Sequence, residues 1–212
     1  MNIYKIIALA IIIVSFAVGA WLYPSMPERM ASHWNIAGEA DGTMSAFWGI
    51  FLMPIISLVM FLFLLVLPRF DPLKANVALF KNYYDGFIVA ITAFFFYLYV
   101  LTLLWNLGYR FDMTRLLAPA FGLLFVFLGV LLKHAKRNWF IGIRTPWTMS
   151  SDAVWDKTHA LGAKIFMAVG MLAFSGALFG TPVFVAAFVV LLCSVLFLVL
   201  FSYFAFKKEQ QR

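Results

Sequence analysis

The chain has 212 residues, of which 65% are hydrophobic and 12% are charged, and its formal net charge is +7. This composition excludes an ordinary soluble globule, in which about 25% of the residues are charged. In such an apolar chain the positive charge indicates membrane sidedness and contact with anionic lipids, and we expect no direct nucleic-acid partner.

Six apolar segments are long enough, or nearly so, to cross a membrane. A hydrocarbon core of about 30 Å needs about 20 apolar residues per helix. The segments are too continuously apolar to be barrel strands, which alternate every second residue. They cover roughly residues 6–23, 47–67, 86–107, 116–132, 160–179 and 182–206. We therefore predict an all-α polytopic membrane protein, a bundle of six transmembrane helices.

The positions of Lys and Arg predict how the spans are oriented. If both termini are cytoplasmic, only Arg29, Arg110 and Arg115 of the 16 basic residues fall outside, and basic residues are retained on the cytoplasmic side during insertion. We predict a multi-pass cell-membrane protein with both termini inside. Residues 1–115 would form an amino-terminal three-span region with an outer loop at 24–46. Residues 116–212 would form a carboxy-terminal three-span region with a cytoplasmic loop at 133–161.

The outer loop, residues 24–46, is longer than most connections, which favours a small ordered cap. Asn35, Gly38, Asp41 and Gly42 are typical turn residues. The adjacent His33 and Trp34 form an amphipathic pair that either anchors the loop at the lipid headgroups or recognises a ligand.

Two other properties of the loops and spans bear on function. Asn35, Glu39 and Asp41 offer oxygen atoms to a hard cation, but their spacing does not match a calcium loop. The inner connection at residues 68–85 is expected to be a solvated basic loop. No Asp, Glu or Arg falls inside a predicted span, which argues against proton pumps, ion-coupled transporters and intramembrane proteases.

The longest polar stretch is the central segment, residues 138–162. The residue before Pro146 is expected to be extended and to be followed by a turn. Ser150, Ser151 and Asp152 predict the amino-terminal cap of a short helix that runs into the fifth span. Trp155, Asp156 and His159 share a neighbourhood on that helix. We interpret the segment as a docking surface or a re-entrant lid at the inner face.

The residues of the central segment suggest two chemical roles. Asp156 and His159 resemble an acid–base pair, but the spacing places no nucleophile with them and there is no His-Glu-x-x-His pattern. We therefore predict no catalytic residue, no metal site and no cofactor. Arg144 either clamps a carboxylate or lipid phosphate, or it caps carbonyl groups or meets lipid headgroups.

The central segment also has a recognisable order of residues: Asn138-x3-Gly142-Ile143-Arg144-Thr145-Pro146-Trp147-Thr148-x2-Ser151-x3-Trp155-x3-His159-x2-Gly162. This order resembles the signature of the SdpI family of bacterial immunity proteins. The outer loop, with Pro27, His33-Trp34-Asn35, Gly38 and Asp41-Gly42-x2-Ser45, is similar to the amino-terminal domain of unknown function that is often joined to that family.

This resemblance implies a non-enzymatic membrane protein that protects its cell from a secreted killing peptide. In the founding system the immunity protein is also linked to a cytoplasmic transcriptional repressor. The expected partners are thus a secreted peptide toxin, such a repressor, and membrane lipids.

Under this hypothesis two sets of residues carry the function. The outer loop binds the peptide through His33, Trp34, Asn35, Gly38, Asp41 and Gly42. The inner side reports the bound state through a cytoplasmic motif of Asn138, Gly142, Arg144, Thr145, Pro146, Trp147, Thr148, Trp155, His159 and Gly162. The alternatives are a small transporter or lipid-handling protein with Arg144 as an anion clamp, and an enzyme that uses Asp156 and His159.

Overall fold

The structure is a computed structural model that describes residues 2–211. Eight helices and two strands follow one another within these residues: α1 Ile3–Leu22, β1 Arg29–Trp34, β2 Ala40–Ser45, α2 Ala46–Val66, α3 Lys74–Leu79, α4 Lys81–Asn106, α5 Met113–His134, α6 Pro146–Ser150, α7 Asp152–Phe179 and α8 Thr181–Gln210. In this part of the chain, six helices (α1, α2, α4, α5, α7 and α8) are long and apolar enough to span a membrane. The six predicted spans are confirmed.

The six long helices pack as two groups of three. Helices α1, α2 and α4 contact one another, as do α5, α7 and α8, and α4 and α5 join the groups. Glycines allow α5 and α7 to approach closely: a methyl group on Gly122 would lie 2.7 Å from the carbonyl oxygen of Gly170, and one on Gly129 would lie 2.8 Å from that of Ala163. Small residues let the backbones of membrane helices come together in this way.

The bundle has two ends, which we call the terminal face and the hairpin face. At the terminal face, where α1 begins and α8 ends, Asn2 Nδ2 donates to Asp85 Oδ2 at 2.5 Å and Ser151 Oγ donates to Glu209 Oε2 at 2.7 Å. The hairpin face carries β1 and β2 and the tight α7–α8 turn at Gly180, whose φ of +88° suits glycine. This tight turn makes α7 and α8 an antiparallel pair.

The strands β1 and β2 correct the expectation of a purely α-helical chain. They form an antiparallel hairpin, residues 29–45, in which Arg29 is opposite Ser45 and the register shifts around His33. Apolar and polar residues hardly alternate in these six-residue strands, and Met30 is their only buried hydrophobic side chain. The usual periodic signal of a half-buried strand is therefore absent.

The inner connection is also more ordered than a solvated loop. It contains α3, and Asp71 is 3% exposed. Asp71 Oδ1 accepts the Leu73 N–H at 2.7 Å and Asp71 Oδ2 accepts the Trp139 N–H at 3.0 Å. Helix α4 begins at Lys81, earlier than predicted, and thereby includes Asp85, which is 1% exposed. This buried acidic residue lies in the first turns of a spanning helix, just before the predicted span 86–107.

Candidate functional site

The hairpin is fastened to the bundle by Asn106, the last residue of α4. Its Oδ1 accepts the Ala31 N–H at 2.7 Å, and its Nδ2 donates to the Ala31 carbonyl oxygen at 3.0 Å. Beside this clamp, Met30 is fully buried against Gly49 of α2, where a methyl group would lie 2.7 Å from the Met30 sulfur. Sequence reasoning missed Asn106, because an asparagine at a helix end is unremarkable without its partner.

Six residues of the outer loop are predicted to bind a peptide, and three of them determine the conformation of the hairpin. Asn35 Oδ1 accepts the N–H groups of Ala37 at 2.9 Å and Glu39 at 3.0 Å. Gly38 has a φ of +81°, which other residues rarely adopt. Gly42 lies opposite His33, and a methyl group there would be 2.9 Å from His33 Cβ. These residues build the turn and the strand register.

His33 and Asp41 are the two predicted residues that present polar side chains to solvent. Their side chains are 70% and 46% exposed, and His33 Nδ1 lies 2.5 Å from Asp41 Oδ1. Asn35 Nδ2 instead donates to Glu39 Oε2 at 3.0 Å. The oxygens considered for a hard cation are thus divided between separate interactions. Within residues 2–211, no group of three or more His, Cys, Asp or Glu is placed to hold a metal ion.

Trp34 belongs to an aromatic cluster at the hairpin face. Its ring meets Trp105 edge-on at a centroid distance of 5.8 Å, and Trp105 contacts Phe111 at 5.5 Å. The Arg110 guanidinium lies 4.9 Å from the centroid of Trp105. Such edge-to-face pairs add about 0.5–1.5 kcal/mol beyond area burial. The Trp34 Nε1–H is buried and finds no hydrogen-bond partner among the described residues.

The central segment is folded against the terminal ends of the long helices. Asn138 is fully buried, and its Nδ2 donates to the carbonyl oxygens of Lys136 at 2.8 Å and Ile141 at 2.9 Å. Its Oδ1 accepts the N–H groups of Phe140 at 2.9 Å and Ile141 at 2.7 Å. A single side chain therefore satisfies the backbone of a turn that would otherwise be buried with unpaired polar groups.

The Thr145–Thr148 region forms α6 and docks it on α8. Thr145 is extended and its side chain accepts the Thr148 N–H, while Thr148 Oγ1 accepts the Thr145 N–H, a reciprocal capping box. Pro146 occupies the first helical position, where its missing N–H costs nothing. Thr145 Oγ1 lies 2.9 Å from Ser202 Oγ of α8, and the ring of Trp147 lies 5.1 Å from that of Tyr203. The predicted extended residue and turn are confirmed.

Trp155 and His159 form the buried centre of the segment. Trp155 is 1% exposed and its Nε1–H donates to the Ala135 carbonyl oxygen at 2.8 Å. Its ring stacks on that of His159 at 3.8 Å. His159 Nδ1 lies 2.9 Å from the Trp155 carbonyl oxygen, and His159 Nε2 accepts the Ile143 N–H at 3.0 Å. These partners assign the neutral tautomer with the proton on Nδ1.

Glycines make this packing possible. Gly142 has a φ of +115°, and a methyl group there would overlap His159 Nε2. A methyl group on Gly162 would lie 2.5 Å from Cδ1 of Ile143. Gly142 is therefore required by its backbone angle and by the close approach of the His159 ring, whereas Gly162 gives room to the end of the Ile143 side chain.

The acid–base pair considered for Asp156 and His159 is not formed. The Asp156 side chain is 62% exposed and lies 3.8 Å from Lys136 Nζ. Asp152 Oδ1 lies 2.8 Å from Arg137 Nε. Ser151 caps α7 by accepting the Val154 N–H at 3.2 Å, so the predicted short helix and the fifth span are one continuous helix. Arg137 also donates to the Met149 carbonyl oxygen at 2.7 Å, a contact that sequence spacing does not reveal.

Arg144 and Pro146 are the exposed members of the ten-residue motif. Arg144 donates to the Trp139 carbonyl oxygen, which is one of the roles that the sequence left open. Most of the remaining motif residues are buried. The interpretation as a docking surface stays a prediction, and in this structure it applies to the exposed edge around Arg144.

We expect Asn106→Ala to loosen the hairpin without disturbing the bundle. The change removes the two hydrogen bonds to the hairpin, each worth about 1 kcal/mol, together with one from Asn106 Nδ2 to the Thr102 carbonyl oxygen within α4. Backbone amide hydrogen exchange in residues 29–34 should become about tenfold faster or more. The control is Asn82→Ala at the exposed other end of α4, where the side chain makes no hydrogen bond with the described residues. Equal exchange in the two variants would contradict the clamp.

Comparison with known proteins agrees with the resemblance in both regions. Residues 10–58 match the family model described as Domain of unknown function (DUF1648), and residues 134–203 match the SdpI/YfhL protein family. The hairpin lies in the first match and the central segment in the second. The protein named Immunity protein SdpI of Bacillus subtilis (strain 168) is 26% identical over 208 residues, which cover 96% of each chain. No solved structure matches the chain significantly. This six-span membrane protein is therefore similar to SdpI/YfhL proteins over residues 134–203 and to DUF1648 regions over residues 10–58.

Proposed function

We propose that this protein is a non-enzymatic membrane immunity protein that makes its cell resistant to a secreted killing peptide. The observation that carries the proposal is the similarity to Immunity protein SdpI over 96% of each chain. Similarity of this extent covers the hairpin and the central segment as well as the apolar spans. Shared hydrophobic composition alone would not account for it.

The proposal includes an orientation, with the hairpin face outside and both termini in the cytoplasm. It is supported by the excess of Lys and Arg at the terminal face, where Lys5, Lys81 and Arg137 lie, because basic residues remain on the cytoplasmic side. A secreted peptide would then meet the hairpin first. The proposed ligand is a cationic or apolar peptide, because the outer segments carry few basic residues.

In this proposal the peptide binds at the hairpin. His33 and Asp41 offer an exposed imidazole next to an accepting carboxylate, and Trp34 has a buried Nε1–H without a partner among residues 2–211. Asn106 ties the hairpin to α4, and Asp85 lies in the opposite end of the same helix. Movement of α4 as a rigid body would transmit the effect of peptide binding to the terminal face. The exposed edge of Trp139, Phe140 and Arg144 would there contact a cytoplasmic repressor.

The test is survival of a sensitive bacterial host that expresses the protein and is challenged with a panel of secreted killing peptides. We expect the wild type to protect the cells. In the double variant His33→Ala and Asp41→Ala, the amount of protein needed to protect the cells should rise about tenfold. This corresponds to a loss of roughly 1.4 kcal/mol in the free energy of peptide binding. Membrane abundance should not change, since both side chains are solvent-exposed.

The matched control is Lys157→Ala, an exposed substitution at the opposite face. It should protect as well as the wild type. If the hairpin variant also protects fully, the recognition site is elsewhere. If the wild type protects against no peptide although it is inserted in the membrane, the proposed immunity function is wrong.

The absence of enzymatic activity is part of the proposal. Both ring nitrogens of His159 are engaged by backbone groups, and the ring is 2% exposed, so a substrate has no access to it.

The competing candidate is a lipid-handling protein or small transporter. This candidate is favoured by a groove of about 690 Å³ between α4 and α5. The groove is lined mainly by apolar side chains, which come from residues 90–97 of α4 and residues 119–130 of α5. Solute or lipid flux in proteoliposomes that is lost in Arg144→Lys would support it over immunity.

A further inference from the structure

A buried carboxylate surrounded by lysines lies at the terminal face, away from the hairpin and the central segment. The Asp85 side chain is 2% exposed. It accepts hydrogen bonds from Asn2 Nδ2 at 2.5 Å and from Lys81 Nζ, and Lys5 Nζ lies 3.8 Å away. A buried charge is tolerated when it is paired and hydrogen-bonded in this way. Asp85 therefore holds the starts of α1 and α4 together and fixes the positions of two lysines.

Next to this group is a cavity of about 190 Å³. Lys5, Lys74, Lys81 and Asp85 contribute its charged lining. Lys74 is exposed and makes no ion pair with any residue in the described range 2–211. Three positive charges therefore face one negative charge, a surplus of two. Asp71, the nearby acidic residue of the same connection, does not line the cavity and is held by the N–H groups of Leu73 and Trp139.

The other wall of the cavity is apolar. Leu64 and Leu65 belong to the end of α2, and Val77 belongs to α3. Tyr84 also lines the cavity, but its hydroxyl is already used, since it donates to the Leu64 carbonyl oxygen at 2.6 Å. The cavity thus combines a cationic side with an apolar side at the ends of three spanning helices, α1, α2 and α4. This is the arrangement that an amphiphile with an anionic head requires.

We propose that this cavity binds the headgroup phosphate of an anionic phospholipid from the leaflet at the terminal face. The phosphate would lie among Lys5, Lys74 and Lys81, and the glycerol and first acyl carbons would lie against Leu64 and Val77. Asp85 acts as a positioning residue, because it directs Lys5 and Lys81 towards the cavity. The bound lipid would join α1, α2, α3 and α4 and so set the angle at which α4 enters the membrane.

The experiment uses the full-length protein, purified in a mild detergent, and three probes: phosphatidylglycerol, phosphatidylcholine and inorganic phosphate. Native mass spectrometry counts the retained lipid, and a thermal melt records the shift in Tm. We expect phosphatidylglycerol to be retained and to raise Tm, and the other two probes to have little effect. Lys74→Gln should weaken the apparent affinity about fivefold, since each basic residue near an anionic leaflet contributes roughly 1 kcal/mol.

Lys74 is the better variant because its replacement breaks no ion pair within residues 2–211, whereas Lys81→Gln also leaves Asp85 less well paired. Lys81→Arg keeps the positive charge and should retain the lipid. Comparison with Lys81→Gln therefore shows whether lipid is lost because the charge is lost or because the protein no longer folds. Lys157→Gln is the matched control, an exposed lysine at the same face but outside the cavity. Equal retention of phosphatidylglycerol and phosphatidylcholine, an unchanged Lys74→Gln variant, or stabilisation by inorganic phosphate alone would each overturn the proposal.

Discussion

Replacing Trp155 with alanine is expected to cause the largest loss of stability of any single change in the central segment. Trp155 is 1% exposed, stacks on His159 and hydrogen-bonds the Ala135 carbonyl oxygen. Removing a buried Trp side chain costs about 3–5 kcal/mol, and here it also leaves a buried carbonyl unpaired. We expect a clearly lower Tm in detergent, followed by far-UV circular dichroism, and a lower abundance in the membrane.

The control for this change is Trp139→Ala. Trp139 lies in the same segment, but its side chain is 52% exposed. Its loss should change Tm little, since surface substitutions usually stay within about 0.5 kcal/mol. Similar destabilisation by the two variants would mean that the stacked Trp155–His159 pair is not the centre of the segment.

The second large effect is expected for Gly142→Ala. Two costs combine at this position. Its φ of +115° disfavours any residue with a Cβ, by about 1–2 kcal/mol. The added methyl group would also overlap His159 Nε2 and lie 3.2 Å from the Trp155 ring. His159 would have to move and would lose its hydrogen bond with the Ile143 N–H, so we expect a total loss of about 3 kcal/mol, measured by chemical or thermal unfolding.

Gly108→Ala separates these two costs. Gly108 has a similar φ of +102°, but a methyl group there would meet nothing within 4 Å. This variant should therefore show only the backbone strain, about 1–2 kcal/mol. If Gly142→Ala is no more destabilised than Gly108→Ala, the close packing of Gly142 against His159 is incorrect.

The residue order of the central segment has a structural explanation. Asn138, Gly142, Thr148, Trp155 and His159 could be taken for a recognition motif because hydrocarbon does not require them. In the structure their side chains or backbone pack against one another and satisfy buried polar groups. The motif therefore holds a turn-rich segment against the helix ends. At this face, the exposed edge around Arg144 is the part of the motif that is available for ligand contact. The hypothesis of peptide signalling can be tested there.

The hairpin shows a similar division between structure and recognition. Asn35 and Gly38 belong to the turn, as predicted, whereas Gly42 lies in β2 opposite His33; hydrogen bonds, backbone angle and close packing account for their positions. His33 and Asp41 have no comparable structural task, because they are exposed and contact each other. They are consequently the better targets for variants that test peptide binding.

The sequence alone determined the membrane class, the six spans and the positions of the main turns. The physical reason is that hydrocarbon requires long apolar helices and that proline, glycine and asparagine act on the local backbone. The capping by Ser151 and the turn after Thr145 could be predicted for the same reason, since both depend on neighbouring residues.

Only the tertiary structure decided which polar residues are buried and what they contact. Asn106 reaches Ala31 across 75 positions, Asp85 reaches Asn2 across 83, and Asp71 reaches Trp139 across 68. No local pattern records such distant pairs. The irregular hairpin, the separation of Asp156 from His159 and the lysine-lined cavity likewise depend on how whole helices meet. Local propensities determine helices and turns, whereas the packing of helices against one another determines which side chains form a site.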